Sequence, residues 1–244
     1  AAALNRGLKW IQGDYLVWPD SDDELMPEFL EKEVEFLQRH PETAYCYGKT
    51  CVMDEKEPDR IIGVKEKRTS FSACSFFERI LYSRDVFYGG YMVRTALLKE
   101  VIPKLEIYAG AGGQNAQILL PFGWYYGEPG YVEEAVYKYY IRRTSHSHSL
   151  DTSEKIIQQL YHYEKILTAT IETIPDPEIR PHLEKIKQHY AKLRFGNAVD
   201  TKNADLIRKQ YQEYVKSGGG SLREFALYFK YTCSWIRKIF RIEG

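Results

Sequence analysis

The sequence predicts an α/β domain over residues 1–150, followed by an all-α region over residues 151–244. In the first part, short β-branched and aromatic runs alternate with stretches of helical period, which is the pattern of an α/β domain. In the second part the strand pattern disappears, and four helical segments follow one another: 152–174, 177–196, 203–216 and 221–240. The change of pattern near residue 150 therefore predicts two domains.

The first predicted elements enclose a polar turn. Apolar residues share one face of a helix over residues 1–11. Residues 14–18 are mostly β-branched or aromatic and predict a buried strand. A helix is predicted over residues 27–39, and it ends at His40 because Pro41 restricts the residue before it. The stretch between strand and helix is rich in acidic residues.

The remaining predicted elements continue the alternation of strands and helices. A strand at 44–53 is followed by a charged turn and by a second strand at 61–67 that pairs with it. Residues 131–141 predict either one strand or two. The other elements are a strand at 90–93 and helices at 75–81, 94–101 and 115–124.

Composition excludes two broad classes of function. Lys and Arg total 34 and Asp and Glu total 34, so the formal net charge is zero. That balance argues against a nucleic-acid partner, which requires a basic excess or a basic stripe. The longest apolar stretch, 118–126, is far shorter than the roughly 18–20 residues of a membrane-spanning helix. We therefore expect a globular protein. Its four cysteines form no CxxC pair, and reduced structural thiols of this kind predict a protein of the cytoplasm.

Three carboxylates follow the predicted strand at 14–18. Asp20, Asp22 and Asp23 lie at its carboxyl end, where open α/β sheets bind ligands. Such close like charges repel one another unless a cation lies between them, and one or two carboxylates with substrate phosphates are typical of a Mg²⁺ site. The alternative is that Asp22 or Asp23 caps the next helix, because acids are favoured at helix N-termini. Spacing alone leaves both interpretations open.

Six segments together resemble the family 2 glycosyltransferases, which have the Rossmann-like GT-A fold. They are Ala3–Leu8, Gly13–Val17, Asp20–Asp23, Pro41–Gly48, Gly90–Arg94 and Tyr137–Ser149. The resemblance covers about residues 1–150 and implies a partial GT-A domain, because the family's nucleotide-binding strands would precede the helix at 1–11. It also implies an inverting, metal-dependent enzyme of bacterial surface polysaccharide synthesis. Such an enzyme moves a sugar from a nucleotide diphosphate donor to a glycan or lipid-linked acceptor.

The resemblance assigns donor-side roles by position. Asp22 would bind Mn²⁺ or Mg²⁺ beneath the donor diphosphate, and His146 would reach the same metal from the closing loop. Asp20 would contact the ribose or sugar of the donor, and Asp23 would support the turn. The alternative for the closing loop is a solvated basic loop without a role. The donor-side cations would be Arg6 and Arg143.

The acceptor side departs from the family pattern. Many relatives carry a Gly-Glu-Asp motif that supplies the catalytic base, whereas this sequence reads Gly113, Gln114 and Asn115. An amide cannot take the proton of an acceptor hydroxyl. We expect Asn115 to position the acceptor, with Gly113 and Gln114 on the acceptor side and the base elsewhere. The alternative is a non-catalytic glycan-binding or assembly protein that retains the GT-A fold.

The C-terminal segment 221–244 combines apolar and basic residues at helical spacing. Phe225 and Phe229 share a face with later apolar residues, and basic side chains flank that face. This pattern is typical of a helix that lies on an anionic membrane surface, here the inner face of the membrane. The alternative is a helix that packs on its own domain or on a second subunit of a homo-oligomer.

Overall fold

The computed structural model describes residues 1–67, 74–82, 86, 89–110, 113–141 and 152–233. The chain divides into two compact units, Ala1–Ser145 and His146–Gly244. The predicted domain boundary at 150 lies outside the described residues.

A six-stranded mixed sheet forms the centre of the first unit. Its strands are β1 (Tyr15–Val17), β2 (Glu24–Leu25), β3 (Tyr45–Asp54), β4 (Ile61–Lys65), β5 (Tyr91–Arg94) and β6 (Gly130–Ile141). The strand order is β1-β5-β3-β6-β2, and β4 pairs with the second half of β3. β3 and β6 are parallel to each other, whereas the other pairs are antiparallel.

The pairing of β3 with β6 is irregular at one place. The register shifts on both sides of Lys49, and a Cβ atom at Gly48 would lie 2.2 Å from the Val136 side chain. Glycine therefore allows the two strands to approach here. Residues 130–141 form one strand, which settles the alternative left open by the sequence.

Helices of the first unit pack on both sides of this sheet region. They are α1 (Ala2–Leu8), α2 (Phe29–Arg39), α3 (Phe76–Leu81), α4 (Thr95–Val101) and α5 (Gln114–Tyr126). Phe29 and Leu37 of α2 are fully buried against Cys46, Met92 and Tyr137 of the sheet. The side chains of α3 and α5 meet Tyr45 of β3, because Phe76 and Phe122 place their rings 5.7 Å and 5.2 Å from it.

Two expectations about this unit were wrong, and one strand was missed. β1 is half-buried rather than buried, because it pairs with β5 on one side only. β2 was not predicted, since two residues are too few to show a period. Neither Asp22 nor Asp23 caps α2, because β2 intervenes and Glu28 occupies the N-cap position.

The described part of the second unit, residues 152–233, contains helices and no strand, as the sequence predicts. Its elements are α6 (Ser153–Thr173), a 3₁₀ turn at Pro177–Ile179, α7 (Pro181–Asp200), α8 (Ala204–Lys216) and α9 (Leu222–Thr232). The predicted helix end at Gly196 and Asn197 is wrong, because α7 continues to Asp200. Phe195 and Ala198 on either side of the pair are buried, and this packing outweighs the low helix propensity of glycine.

No helix in the ranges that the structure describes is both long enough and apolar enough to cross a membrane. The predicted helix at 221–240 is described as far as residue 233, and its last part lies outside the described residues.

Candidate active site

The acidic segment crosses the sheet of the first unit. It begins after β1 and ends at β2, and these two strands lie at opposite ends of the strand order. The backbone N–H of Asp23 donates to the carbonyl oxygen of Asp20 at 3.1 Å, which closes a turn. We call residues 20–23 the acidic turn. The sheet thus carries Asp20, Asp22 and Asp23 on one short loop.

Asp23 anchors the acidic turn to β6. The Tyr137 hydroxyl donates to Asp23 Oδ2 at 2.8 Å, and the backbone N–H of Tyr140 donates to Oδ1 at 3.2 Å. Burial raises the pKa of Asp23 to about 6, and the hydrogen bonds from Tyr137 and Tyr140 oppose that rise. Both carboxylate oxygens of Asp23 are therefore engaged with β6.

Asp20 meets the beginning of α5. Gln114 Nε2 donates to Asp20 Oδ1 at 3.4 Å, across 94 positions of sequence. Burial and then the charge of Asp22 raise the pKa of Asp20, and hydrogen bonds from Gln114 and Asn115 oppose the rise. The structure therefore brings the amide pair of α5 and the acidic turn together, although sequence reasoning had placed them on opposite sides of the reaction.

Trp18 fixes the orientation of Asn115. The Trp18 indole Nε1–H donates to Asn115 Oδ1 at 2.6 Å, so the amide oxygen of Asn115 is already a hydrogen-bond acceptor. Sequence reasoning missed this role of Trp18. The available signal was an aromatic residue with an N–H donor directly after β1, next to the acidic turn.

Gly113 sets the start of α5. It occupies the N-cap position with φ 66°, a left-handed conformation that glycine adopts without steric cost. The first turn of the helix then presents backbone N–H groups and a partial positive charge, which favour a nearby carboxylate such as Asp20. The backbone conformation alone therefore explains why glycine occupies position 113, without reference to any ligand.

The acidic turn has the donor atoms of a divalent-cation site. The charge of Asp22 raises the pKa of both Asp20 and Asp23, so the carboxylates repel one another. Mg²⁺ and Mn²⁺ prefer such oxygen ligands and take the remaining ones from phosphates and water. Within the part of the chain that the structure describes, no group of three or more His, Cys, Asp or Glu side chains is placed to hold a metal ion. Asp20 and Asp22 offer carboxylate oxygens, and a cation held by them would have to take its other ligands from phosphates or water.

Of the other predicted site residues, one is described and two are not. Arg6 is exposed on α1. Its neighbour Asn5 exchanges two hydrogen bonds with the backbone of Ile107, each 2.8 Å long, which ties α1 to the segment before α5. Arg143 and His146 lie outside the described residues.

Comparisons with known proteins show similarity to glycosyltransferases. The family model described as glycosyl transferase family 2 matches residues 1–95. A curated protein of Escherichia coli (strain K12), the uncharacterized glycosyltransferase YibD, is 25% identical over 197 residues. That alignment covers 78% of this chain and 53% of YibD, so the chain spans about half the length of this relative.

A solved structure gives a weaker likeness. The crystal structure of S. aureus TarS 1-349 is 13% identical, and the superposition covers 96% of this chain and 70% of the TarS chain at a TM-score of 0.42. That score is too low to carry a conclusion about this chain. The predicted fold class is confirmed by the mixed sheet, the helical second unit and the family match: a partial GT-A domain of α/β type precedes an all-α region.

Proposed function

We propose that the protein transfers a sugar from a nucleoside diphosphate donor to a glycan or lipid-linked acceptor, because its residues 1–95 match the model of glycosyl transferase family 2. The observation that carries the proposal is the acidic turn, held against β6 through Asp23 and against α5 through Asp20. We also propose that this reaction is a step in the synthesis of a bacterial surface polysaccharide.

The donor side of the proposed reaction depends on Asp20 and Asp22. These carboxylates would hold Mn²⁺ or Mg²⁺, which when bound offsets the negative charge of the departing nucleoside diphosphate. Tyr137 and Tyr140 keep the acidic turn in place through Asp23, and Gln114 keeps Asp20 directed toward α5. The chain thereby fixes the carboxylates before the donor arrives, which lowers the cost of ordering them.

The acceptor side requires a base that positions 114 and 115 do not supply. Both residues are amides, and the Asn115 oxygen accepts a hydrogen bond from Trp18. In the inverting reaction that we propose, the proton of the acceptor hydroxyl therefore goes to another group. Gln114 and Asn115 act instead on Asp20, as positioning residues.

A second candidate function is a non-catalytic glycan-binding or assembly protein. The same amide pair favours it, because a chain that had lost its base would keep the fold and the acidic turn. The two candidates differ in turnover. A transferase releases nucleoside diphosphate from a nucleotide sugar, whereas a binding protein releases none.

The test is release of nucleoside diphosphate from a panel of UDP- and GDP-sugars, with and without Mn²⁺. We expect metal-dependent release by the wild-type protein and a loss of at least about tenfold in Asp22→Asn, because one cation ligand is removed. Asp200→Asn is the matched control, since Asp200 is exposed at the end of α7. Release that is the same in Asp22→Asn and Asp200→Asn would contradict the metal assignment, and no release at all would favour the second candidate.

We also propose that the C-terminal helix contacts an anionic membrane surface. Leu227, Tyr228 and Tyr231 of α9 pack on the core of the second unit, whereas Leu222, Phe225 and Phe229 are exposed. The rings of Phe225 and Phe229 lie 5.8 Å apart and form one apolar strip. Arg223 is exposed on the same helix, and a basic residue near an anionic leaflet contributes about 1 kcal/mol.

Vesicles of phosphatidylcholine with phosphatidylserine test this contact. We expect salt-sensitive co-sedimentation that decreases in a Phe225→Ser/Phe229→Ser variant, with Tyr125→Ser, an exposed aromatic of the first unit, as the control. Equal sedimentation of all three proteins would contradict the membrane proposal. A wild-type dimer in solution that the double variant abolishes would assign the strip to a homo-oligomer instead.

A further inference from the structure

A cavity of about 270 Å³ lies in the first unit, apart from the acidic turn. Its walls come from β3, β5, α3, the end of β4 and the segment that follows α5. The volume is near the lower end of small-molecule sites, which suits one ring rather than an extended ligand. The lining includes Tyr47, Lys65, Lys67, Phe76, Arg79 and Tyr91.

Aromatic rings form one side of the cavity. Tyr47 and Tyr91 stack with ring centroids 5.0 Å apart, and Phe76 lies 6.3 Å from Tyr91. Tyr91 and Phe76 are buried, whereas Tyr47 is half-buried and borders the open space. A wall that is apolar in its middle and polar at its edges matches a sugar ring, which has C–H faces and a rim of hydroxyl groups.

The charges of the lining favour an anion. Arg79 forms two hydrogen bonds to Glu128, at 3.1 Å and 2.8 Å, and Glu66 pairs with Lys49 at 3.2 Å. Both carboxylates of the lining are therefore already matched by a cation. Lys65 and Lys67 are exposed at the mouth and add positive charge beyond these pairs.

We propose that this cavity binds one sugar ring that carries a negatively charged substituent, a phosphate or a carboxylate. The site is separate from the acidic turn, because none of its lining residues belongs to residues 20–23. The ring lies against Tyr47, and its anionic substituent meets Lys65 and Lys67 at the mouth.

Ligand-observed NMR with four probes tests the proposal: glucose 6-phosphate, glucuronate, glucose and inorganic phosphate. We expect saturation transfer to glucose 6-phosphate or glucuronate, with glucose bound at least tenfold more weakly and with binding weakened by salt. A Lys65→Ala/Lys67→Ala variant should weaken binding of the charged sugar at least tenfold. Lys56→Ala/Lys104→Ala is the control, because it removes two exposed lysines of the same unit outside the cavity.

Three results would overturn the inference. They are equal binding of glucose and the charged sugars, displacement of glucose 6-phosphate by an equal concentration of inorganic phosphate, and unchanged binding in Lys65→Ala/Lys67→Ala. Release of nucleoside diphosphate in the presence of Mn²⁺ is measured on the same samples. Normal release with no sugar in the cavity rejects only this binding site, whereas absent release with a charged sugar bound rejects only the transferase function.

Discussion

The two units treat buried charge in opposite ways. In the first unit, the groups that hold Asp20 and Asp23 are neutral: amides, a tyrosine hydroxyl and a backbone N–H. In the second unit, the buried Arg194 is paired with Glu164 and lies 3.9 Å from Glu213. Neutral donors orient a carboxylate without cancelling its charge, so the acidic turn retains charge that a ligand can use. The charge of Arg194 is balanced by carboxylates of its own unit, which indicates a structural role.

Arg194→Met should break this balance and give the largest effect. The guanidinium also lies 4.0 Å from the centre of the Tyr161 ring, so its loss leaves Glu164 and Glu213 close together without their cation. Removing one partner of a buried ion pair costs about 3–5 kcal/mol. Urea unfolding should show that loss of unfolding free energy.

Arg208→Met is the matched control for that experiment. Arg208 pairs with Asp205 at 2.7 Å on the exposed surface of α8, where such a pair contributes about 0.5 kcal/mol. A change of the same size in Arg194→Met and Arg208→Met would show that the charge of Arg194 is not balanced as described above.

Glu33 should give the next largest effect, which is a dependence of the free energy of unfolding on pH. Burial holds the pKa of this fully buried α2 side chain well above its usual value near 4.5, and Cys46 and Gly48 only partly oppose the rise. The folded state keeps a proton that the unfolded state releases. Unfolding free energy should therefore fall as pH rises above about 4.5, by about 1.4 kcal/mol per pH unit until the folded pKa is reached.

Glu33→Gln should remove that dependence, because glutamine does not titrate. The measurement is urea unfolding between pH 5 and pH 8, and Glu31→Gln, on the exposed side of the same helix, is the control. If the wild-type protein and Glu33→Gln show the same pH profile, the buried carboxyl is not protonated in the folded state.

Trp18→Phe should reduce turnover about tenfold, equivalent to about 1.4 kcal/mol of transition-state stabilisation. The variant keeps an aromatic ring but loses the N–H that fixes Asn115, so the amide can turn away from Asp20. A positioning role predicts a lower kcat with unchanged nucleotide-sugar affinity. Trp10→Phe is the control, since Trp10 is 80% exposed. Equal kcat values for the two variants would remove Trp18 from the site.

Local patterns predicted the elements of this fold because each has its own period. α2 and β3 lie within two residues of their predicted bounds, and the acidic turn was identified from three carboxylates after a strand. The contacts that organise the turn were not predictable in the same way. Tyr137 and Tyr140 come 114 and 117 positions after Asp23, and no local period records such a pairing.

Residue type at positions 114 and 115 predicts only part of what these residues do. An amide cannot act as a base, but the hydrogen bonds of these two residues to Asp20 depend on where α5 lies relative to β1. The acceptor-positioning role of Asn115 stays a prediction, as do the roles of Arg6, Arg143 and His146. The metal and the donor also stay predictions of the family pattern.

Replacing a glycine by alanine should change the free energy of unfolding in opposite directions in the two units. This is the smallest of the predicted effects. Gly113 has φ 66°, so Gly113→Ala places a Cβ atom in the left-handed region at a cost of about 1 kcal/mol. In α7, no atom lies within 4 Å of the place that an added methyl group at Gly196 would take, so Gly196→Ala should stabilise the helix by about 1 kcal/mol. Thermal unfolding of both variants measures the signs. Gly113→Ala should also lower nucleoside diphosphate release. α5 begins at Gln114, and a shift of this helix would move the Gln114 amide that donates a hydrogen bond to Asp20. Destabilisation without any loss of release would show that the start of α5 stabilises the fold but does not position Asp20.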